Sequence, residues 1–187
     1  MTASDIVSQL FAVYAAHGHR HYGEDVTENQ HALQCATFAR ANGESPAIVA
    51  ACLLHDYGHL VHDLGEDIAD HGIDAHHETL GANRLAKLFT PEVVEPVRLH
   101  VAAKRYLCWK LPHYYEGLSE ASRKSLALQG GPMTDAEGLA FEQHPHHEAA
   151  VTLRRYDDMG KVAGMKTPDF EDFRSFLEPF VITPAHA

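Results

Sequence analysis

Leu53-Leu54-His55-Asp56-Tyr57-Gly58-His59 closes an apolar run that begins at Ala47. That run (Ala-Ile-Val-Ala-Ala-Cys-Leu-Leu, residues 47–54) follows Ser45-Pro46, a capping residue and a proline at the first helical position. It predicts a buried helix. Such a helix does not end in adjacent ionisable residues without compensation, because unpaired buried charge is costly. Neighbours on a helix point about 100° apart, so His55 and Asp56 reach one ion from two directions while the second carboxylate oxygen reaches another. Gly58 is expected to end the helix, with His59, one turn beyond His55, beside the site or the substrate. The plain alternative is a polar C-terminal turn.

Helical periodicity extends outward from this stretch. Upstream, Thr27-Glu28-Asn29-Gln30 fits a capping box opening a helix with Leu33, Ala36, Phe38 and Ala39. Earlier, Ile6, Leu10, Val13 and Tyr14 follow Ser4, read as an N-cap. Downstream, Thr90-Pro91 precedes Val93, Val94 and Val97, and further helices are expected over residues 75–88, 119–128, 134–143, 146–161 and 168–177. Segments 61–74 and 110–118 carry Gly, Asp, His and Pro and read as loops, the first placed to cover a site. No alternating strand pattern and no internal repeat is present. The expectation is one all-α domain over residues 1–187.

Composition narrows the function. The chain has 187 residues, 45% hydrophobic and 22% charged, enough for one domain with a substantial core. Its net charge of −11 opposes polyanions, so nucleic-acid partners are not expected. The longest apolar run falls far short of the ~20 residues of a membrane span. The N-terminus has neither a basic nor an apolar leader region, and Cys35, Cys52 and Cys108 lack metal-type spacing, which fits buried thiols in a reducing cytoplasm. The anomaly is histidine, with 16 of the 187 residues. Histidine is the commonest metal ligand, so that excess points to a metal site.

His31 lies mid-helix, His77-Glu78 near the start of another helix, and His100 at the end of an apolar one; Arg154-Arg155-Tyr156-Asp157-Asp158 lies on a late helix. With His55 and Asp56 these supply four imidazoles and two carboxylates from five helices. Nitrogen and carboxylate donors without thiolate suit iron, manganese or zinc at a catalytic site with open positions. Two ions bridged by Asp56 use the set fully: His31, His55 and the late aspartate on one, His77 and His100 on the other.

His31-Ala32-Leu33-Gln34, the 53–59 stretch, His77-Glu78-Thr79-Leu80-Gly81 and Leu99-His100-Val101-Ala102-Ala103-Lys104-Arg105-Tyr106 resemble the HD-domain superfamily. More narrowly, they resemble its phosphonate-cleaving mixed-valent diiron oxygenases, the PhnZ and TmpB type. Ser125 to Met133 (Ser-Leu-Ala-Leu-Gln-Gly-Gly-Pro-Met) and residues 154–158 are similar to that branch as well. The resemblance implies an HD helical bundle and an Fe(II)/Fe(III) pair bridged by Asp56, with Asp157 as the last ligand. It also implies a 1-hydroxy-2-aminoethylphosphonate or its N-trimethyl analogue as substrate. Dioxygen would cleave the carbon–phosphorus bond to give phosphate and glycine or glycine betaine, the substrate chelating the ferric ion through its 1-hydroxyl and a phosphonate oxygen.

Spacing orders the surrounding candidates. Lys104 is four residues after His100 and Arg154 three before Asp157, each on its neighbour's face. Both match family residues that hold the anion; the plain alternative for each is a surface cation or an ion pair. Ser125 and Gln129, one turn apart, offer neutral hydrogen bonds. The resemblance further implies a Tyr-x-x-Glu pair sensing the substrate's amino end, but here the window reads His21-Tyr22-Gly23-Glu24. Glu24 keeps its distance from His31, while Tyr22 is displaced by one place. A quaternary ammonium would need carboxylate and aromatic faces, for which Glu24, Tyr22, Tyr106, Trp109, Tyr114 and Tyr115 are available. The rival reading is a metal-dependent HD-domain phosphohydrolase or phosphodiesterase, in which a metal-bound hydroxide attacks.

Overall fold

The structure is a computed structural model that describes residues 1–21, 25–61 and 76–182. The fold is all-α. Helices α1 (Ala3–His17), α2 (Glu28–Ala41), α3 (Pro46–Leu54) and the single turn α4 (Tyr57–Leu60) form the N-terminal half. They are followed by α5 (His77–Leu85), α6 (Pro91–Lys110), the turn α7 (Tyr114–Gly117), α8 (Glu120–Leu128), α9 (Asp135–Phe141), α10 (His147–Met159) and α11 (Arg174–Leu177). Among the described residues the only extended pairings are isolated bridges, His21 to Thr27 and Phe89 to Val181.

The element that organises the rest is α3. Every residue from Ile48 to Leu54 is buried, as an all-round apolar helix requires. It packs against α2, α6, α10 and α11, so its C-terminal end opens into the middle of the molecule. A second apolar cluster (Ala103, Tyr106, Leu107, Met133, Phe141 and Ala150) joins the far half of α6 to α9 and α10. There Gly138 admits Trp109: a Cβ at Gly138 would stand 2.4 Å from the indole ring.

Caps place most helix starts where the sequence puts them. Thr27 and Gln30 form the capping box of α2, Ser45 caps α3 ahead of Pro46, and Thr134 with Glu137 boxes α9. Three expectations are corrected. The N-cap of α1 is Thr2, reciprocally bonded with Asp5, not Ser4. Segment 168–177 is not one helix but a 3-10 turn (Phe170–Phe173) followed by α11, because Asp169 and Asp172 close a tight box just after Pro168. Loop 110–118 carries the extra turn α7. The loop at 61–74 lies outside the described residues from position 62 onward.

Candidate metal centre

His55 and Asp56 do not end α3; they form the break between α3 and α4, and Gly58 lies inside α4 instead of terminating a helix. Two side chains bind carbonyls at this end of α3. His55 donates from Nδ1 to its own helix at Cys52 O (2.9 Å), and the buried Tyr14 of α1 donates its hydroxyl to Leu53 O (2.7 Å). The chain then turns sharply enough that both side chains of the His-Asp pair face inward.

The other donors arrive from four helices. His31 comes from α2, His77 from the first position of α5, His100 from α6 and Asp157 from α10. The approach of α5 depends on glycine. A Cβ at Gly58 would lie 2.0 Å from the His77 carbonyl oxygen, and one at Gly81 would lie 2.8 Å from the Gly58 nitrogen. Backbone therefore meets backbone, bringing His77 to Asp56. Gly58→Ala is expected to push α5 away, cost about 1–3 kcal/mol of stability by overpacking and lower metal content, as read by thermal unfolding and elemental analysis.

The six side chains converge. His31 Nε2 and His55 Nε2 lie 3.1 Å apart, as do His77 Nε2 and His100 Nε2. Asp56 sits between the pairs: Oδ2 is 3.2 Å from His55 and 3.5 Å from His31, while Oδ1 is 3.4 Å from His77 and 3.6 Å from His100. Asp157 Oδ1 closes the first group, 3.3 Å from His31 Nε2. Its neighbour Asp158 instead accepts from Tyr114 and Arg154.

Protonation explains why this cluster suits cations. His31 donates through Nδ1 to Gly160 O (2.8 Å) and His100 to Val97 O (2.7 Å), as His55 does to Cys52 O. A carbonyl only accepts, so each Nδ1 carries a proton, and in the neutral ring Nε2 turns a lone pair inward. Both oxygens of Asp56 and Oδ1 of Asp157 are buried without a hydrogen-bond partner. Lone pairs facing lone pairs in a buried site are costly unless a positive charge lies among them. Two nitrogens bound to one ion at about 2.0–2.1 Å stand about 2.8–3.4 Å apart for angles from right to tetrahedral, and both imidazole pairs meet that condition.

Electrostatics divide the rings: on His55 a proton supplies the positive charge that Asp56 calls for, and an ion binding there displaces it. Burial most strongly opposes charge on His55, yet the adjacent Asp56 carboxylate prevails and raises its pKa to about 9. Burial, then the neighbouring His77, lowers His100 to about 3, keeping it neutral as a ligand must be. Burial disfavours the charged form of both aspartates, but His55 beside Asp56 and Arg154 beside Asp157 hold them well below the usual carboxylate range.

The remaining candidates fall into three groups. His59 stacks on the outer face of His77, with centroids 4.1 Å apart. Lys104 is buried and donates from Nζ to Ser125 Oγ (2.8 Å); burial, then the charge of Arg154, lowers its pKa to about 7. Gln129 caps the end of α8 with a buried Oε1 that has no partner. Arg154, also buried, spends its guanidinium on Asp157 Oδ2 (2.5 Å), Asp158 and the Tyr114 hydroxyl. Tyr22 and Glu24 lie outside the described residues. The four aromatics considered for an ammonium group have other partners. Tyr106 packs on Phe141 and donates to Glu142, Trp109 donates to Asp135, Tyr114 serves Asp158, and Tyr115 lies under Arg123.

Sequence reading missed four residues here. Cys35, one turn after His31, sets its thiol 3.8 Å from His31 Nδ1 and forms with His31 and His55 one of two donor groups among the described residues; Asp56, His77 and His100 form the other. Gly160 accepts from His31, and Tyr14 binds a carbonyl at the helix break. Gln34 pairs with the backbone of Val162.

The HD domain model matches residues 29–125, a span that holds His31, His55, Asp56, His77 and His100. The chain belongs to the HD-domain family. A hydroxymethylphosphonate dioxygenase of Gimesia maris is 46% identical to it over 179 residues, 95% of this chain and 89% of the relative. A glycine-betaine-forming 1-hydroxy-2-(trimethylamino)ethylphosphonate dioxygenase of Leisingera caerulea is 40% identical over 182 residues, 97% of this HD-domain chain and 93% of the relative.

Proposed function

We propose that this HD-domain protein is an iron-dependent dioxygenase that cleaves the carbon–phosphorus bond of a short 1-hydroxyalkylphosphonate. The observation that carries the reading is the placement of Asp56: one buried carboxylate, both oxygens without a hydrogen-bond partner, each facing its own pair of imidazole nitrogens. His31, His55 and Asp157 would hold one iron, His77 and His100 the other, with Asp56 shared. Bound there, the irons supply Lewis acidity and one-electron chemistry toward dioxygen.

The protein's own groups supply binding and position. Lys104, withdrawn from water beside Ser125, presents an ammonium to a phosphonate in an otherwise acidic protein. Ser125 and Gln129 add neutral hydrogen bonds at the same end. Arg154 fixes Oδ2 of Asp157 so that Oδ1 faces His31, and its charge adds to the field drawing the anion inward. His59 shields the outer face of His77.

Both named relatives act, by their names, on phosphonates hydroxylated on the carbon next to phosphorus. The relative that is 46% identical acts, by its name, on hydroxymethylphosphonate, which favours a short tail over a quaternary ammonium. For hydroxymethylphosphonate the reaction balances as one dioxygen consumed, with formate and phosphate released. The test is anaerobic loading with iron, addition of one substrate, then oxygen. Phosphate should form in step with oxygen uptake and fastest from hydroxymethylphosphonate, ahead of 1-hydroxy-2-aminoethylphosphonate and its N-trimethyl form. Fastest turnover of the N-trimethyl compound overturns the short-tail assignment. Phosphate released from a phosphomonoester without oxygen uptake establishes the hydrolase reading instead.

A further inference from the structure

Three imidazoles of the cluster are oriented through Nδ1 by backbone carbonyls, but not in the same way. His55 and His100 use the carbonyl three residues earlier, Cys52 and Val97, so local geometry fixes those rings. His31 uses Gly160, which is 129 residues away. Its orientation therefore depends on how the chain leaving α10 is docked against α2.

That docking is tight and specific. Gly160 ends α10, and a Cβ there would lie 2.3 Å from Cys35 Sγ and 3.1 Å from His31 Nδ1. Two residues on, Val162 exchanges a pair of hydrogen bonds with one buried side chain. Gln34 donates from Nε2 to Val162 O, and Val162 N donates to Gln34 Oε1, both at 2.9 Å. Gln34 is wholly buried on α2, three residues after His31 and on the same face. Both ends of its amide are satisfied, so the reciprocal pair fixes the segment in one register, as a strand partner would.

We propose that Gln34 is a positioning residue of the metal centre: its amide holds residues 160–162 so that the Gly160 carbonyl can orient the His31 ring toward the ion it shares with His55 and Asp157. The inference rests on the dinuclear reading above. Its particular content is an asymmetry. Loss of the clamp should affect the ion on the His31 side and leave the His77–His100 side intact, because those two rings take nothing from Gln34. An apolar residue of the same length would fill the space but hold neither the Val162 N–H nor its carbonyl.

The test compares wild type, Gln34→Met and Gln34→Glu as full chains, metal-free, titrated anaerobically with cobalt(II). Stoichiometry and affinity are read from the absorption of the bound ion, with thermal unfolding of the metal-free proteins recorded in parallel. Wild type should bind two ions. Gln34→Met should bind one ion as wild type does and the other about 10–100-fold more weakly, the usual loss when a partner orienting a ligand is removed. Gln34→Glu, which keeps the acceptor for Val162 N–H but not the donor to its carbonyl, should fall between. If Gln34→Met does not fold, Gln34→Glu carries the same comparison. Unchanged affinities in a folded variant, or equal weakening at both sites, overturns the assignment of Gln34. Wild type binding no second ion overturns the dinuclear reading itself.

Discussion

Asp56→Ala should strip both ions from the protein, whereas Asp157→Ala should cost only one. The difference follows from which atoms each carboxylate offers. Asp56 places one oxygen 3.2 Å from His55 and the other 3.4 Å from His77, so it alone belongs to both halves of the cluster. Asp157 offers Oδ1 to the His31 side, its Oδ2 being held by Arg154. Without Asp56, four inward-facing imidazoles would have to hold two dications with one carboxylate on one side and none on the other. The measurement is iron per chain after anaerobic loading and desalting: near zero for Asp56→Ala and near one for Asp157→Ala, against two in wild type. Oxygen-dependent phosphate release should fall about 1,000-fold or more in Asp56→Ala, since several kcal/mol of metal-supplied stabilisation is lost at 1.36 kcal/mol per factor of ten. Two ions retained by Asp56→Ala would show that the carboxylate does not bridge.

Helix starts were largely legible in the sequence because capping is local. Thr27 with Gln30, Ser45 ahead of Pro46 and Thr134 with Glu137 each satisfy orphan amides within four residues. The residue types of the candidate centre were legible for a similar reason, since donor chemistry is written in side-chain identity. What the local pattern did not reveal is what long-range contacts decide. The apolar run into His55-Asp56 reads as a helix with a polar end, but the helix breaks there, where Tyr14, 39 residues away, binds a carbonyl at its end. The 3.6-residue period marks Tyr14 as core and says nothing of its hydroxyl. Spacing put Arg154 and Asp157 on one face, which serves an anion clamp and an ion pair equally; the structure shows the ion pair. Gln34 and Gly160 carry no signal of their own, because their roles exist only once α2 meets the chain leaving α10.

Lys104→Met should make the protein more stable and nearly useless to an anionic substrate. Burial and the charge of Arg154 lower the Lys104 pKa from 10.5 in the unfolded chain to about 7. The unfolded state therefore binds this proton more tightly, and stability rises with pH between about 7 and 10.5. Below pH 7 the folded protein bears the full cost of a buried ammonium whose hydrogen-bond partner is one serine hydroxyl. Methionine of similar length removes that cost. The midpoint of thermal unfolding should rise by several degrees at pH 6, for a gain on the order of a few kcal/mol, and the gap should close by pH 10. Iron content should stay at two per chain, because Lys104 lies a full turn beyond His100, while the apparent KM for the phosphonate rises at least tenfold. Wild type should show the same ionisation in kcat/KM, which falls as pH rises through about 7 and the free enzyme loses the charge. A bound phosphonate stabilises the ammonium, so the corresponding limb in kcat should lie at higher pH. A Lys104→Met variant less stable than wild type at pH 6 would mean that the ammonium is held by more than burial allows. Stability would then be no guide to its function. With both results in hand, Lys104 would cost the empty fold stability and repay it when an anion arrives, as a binding residue does.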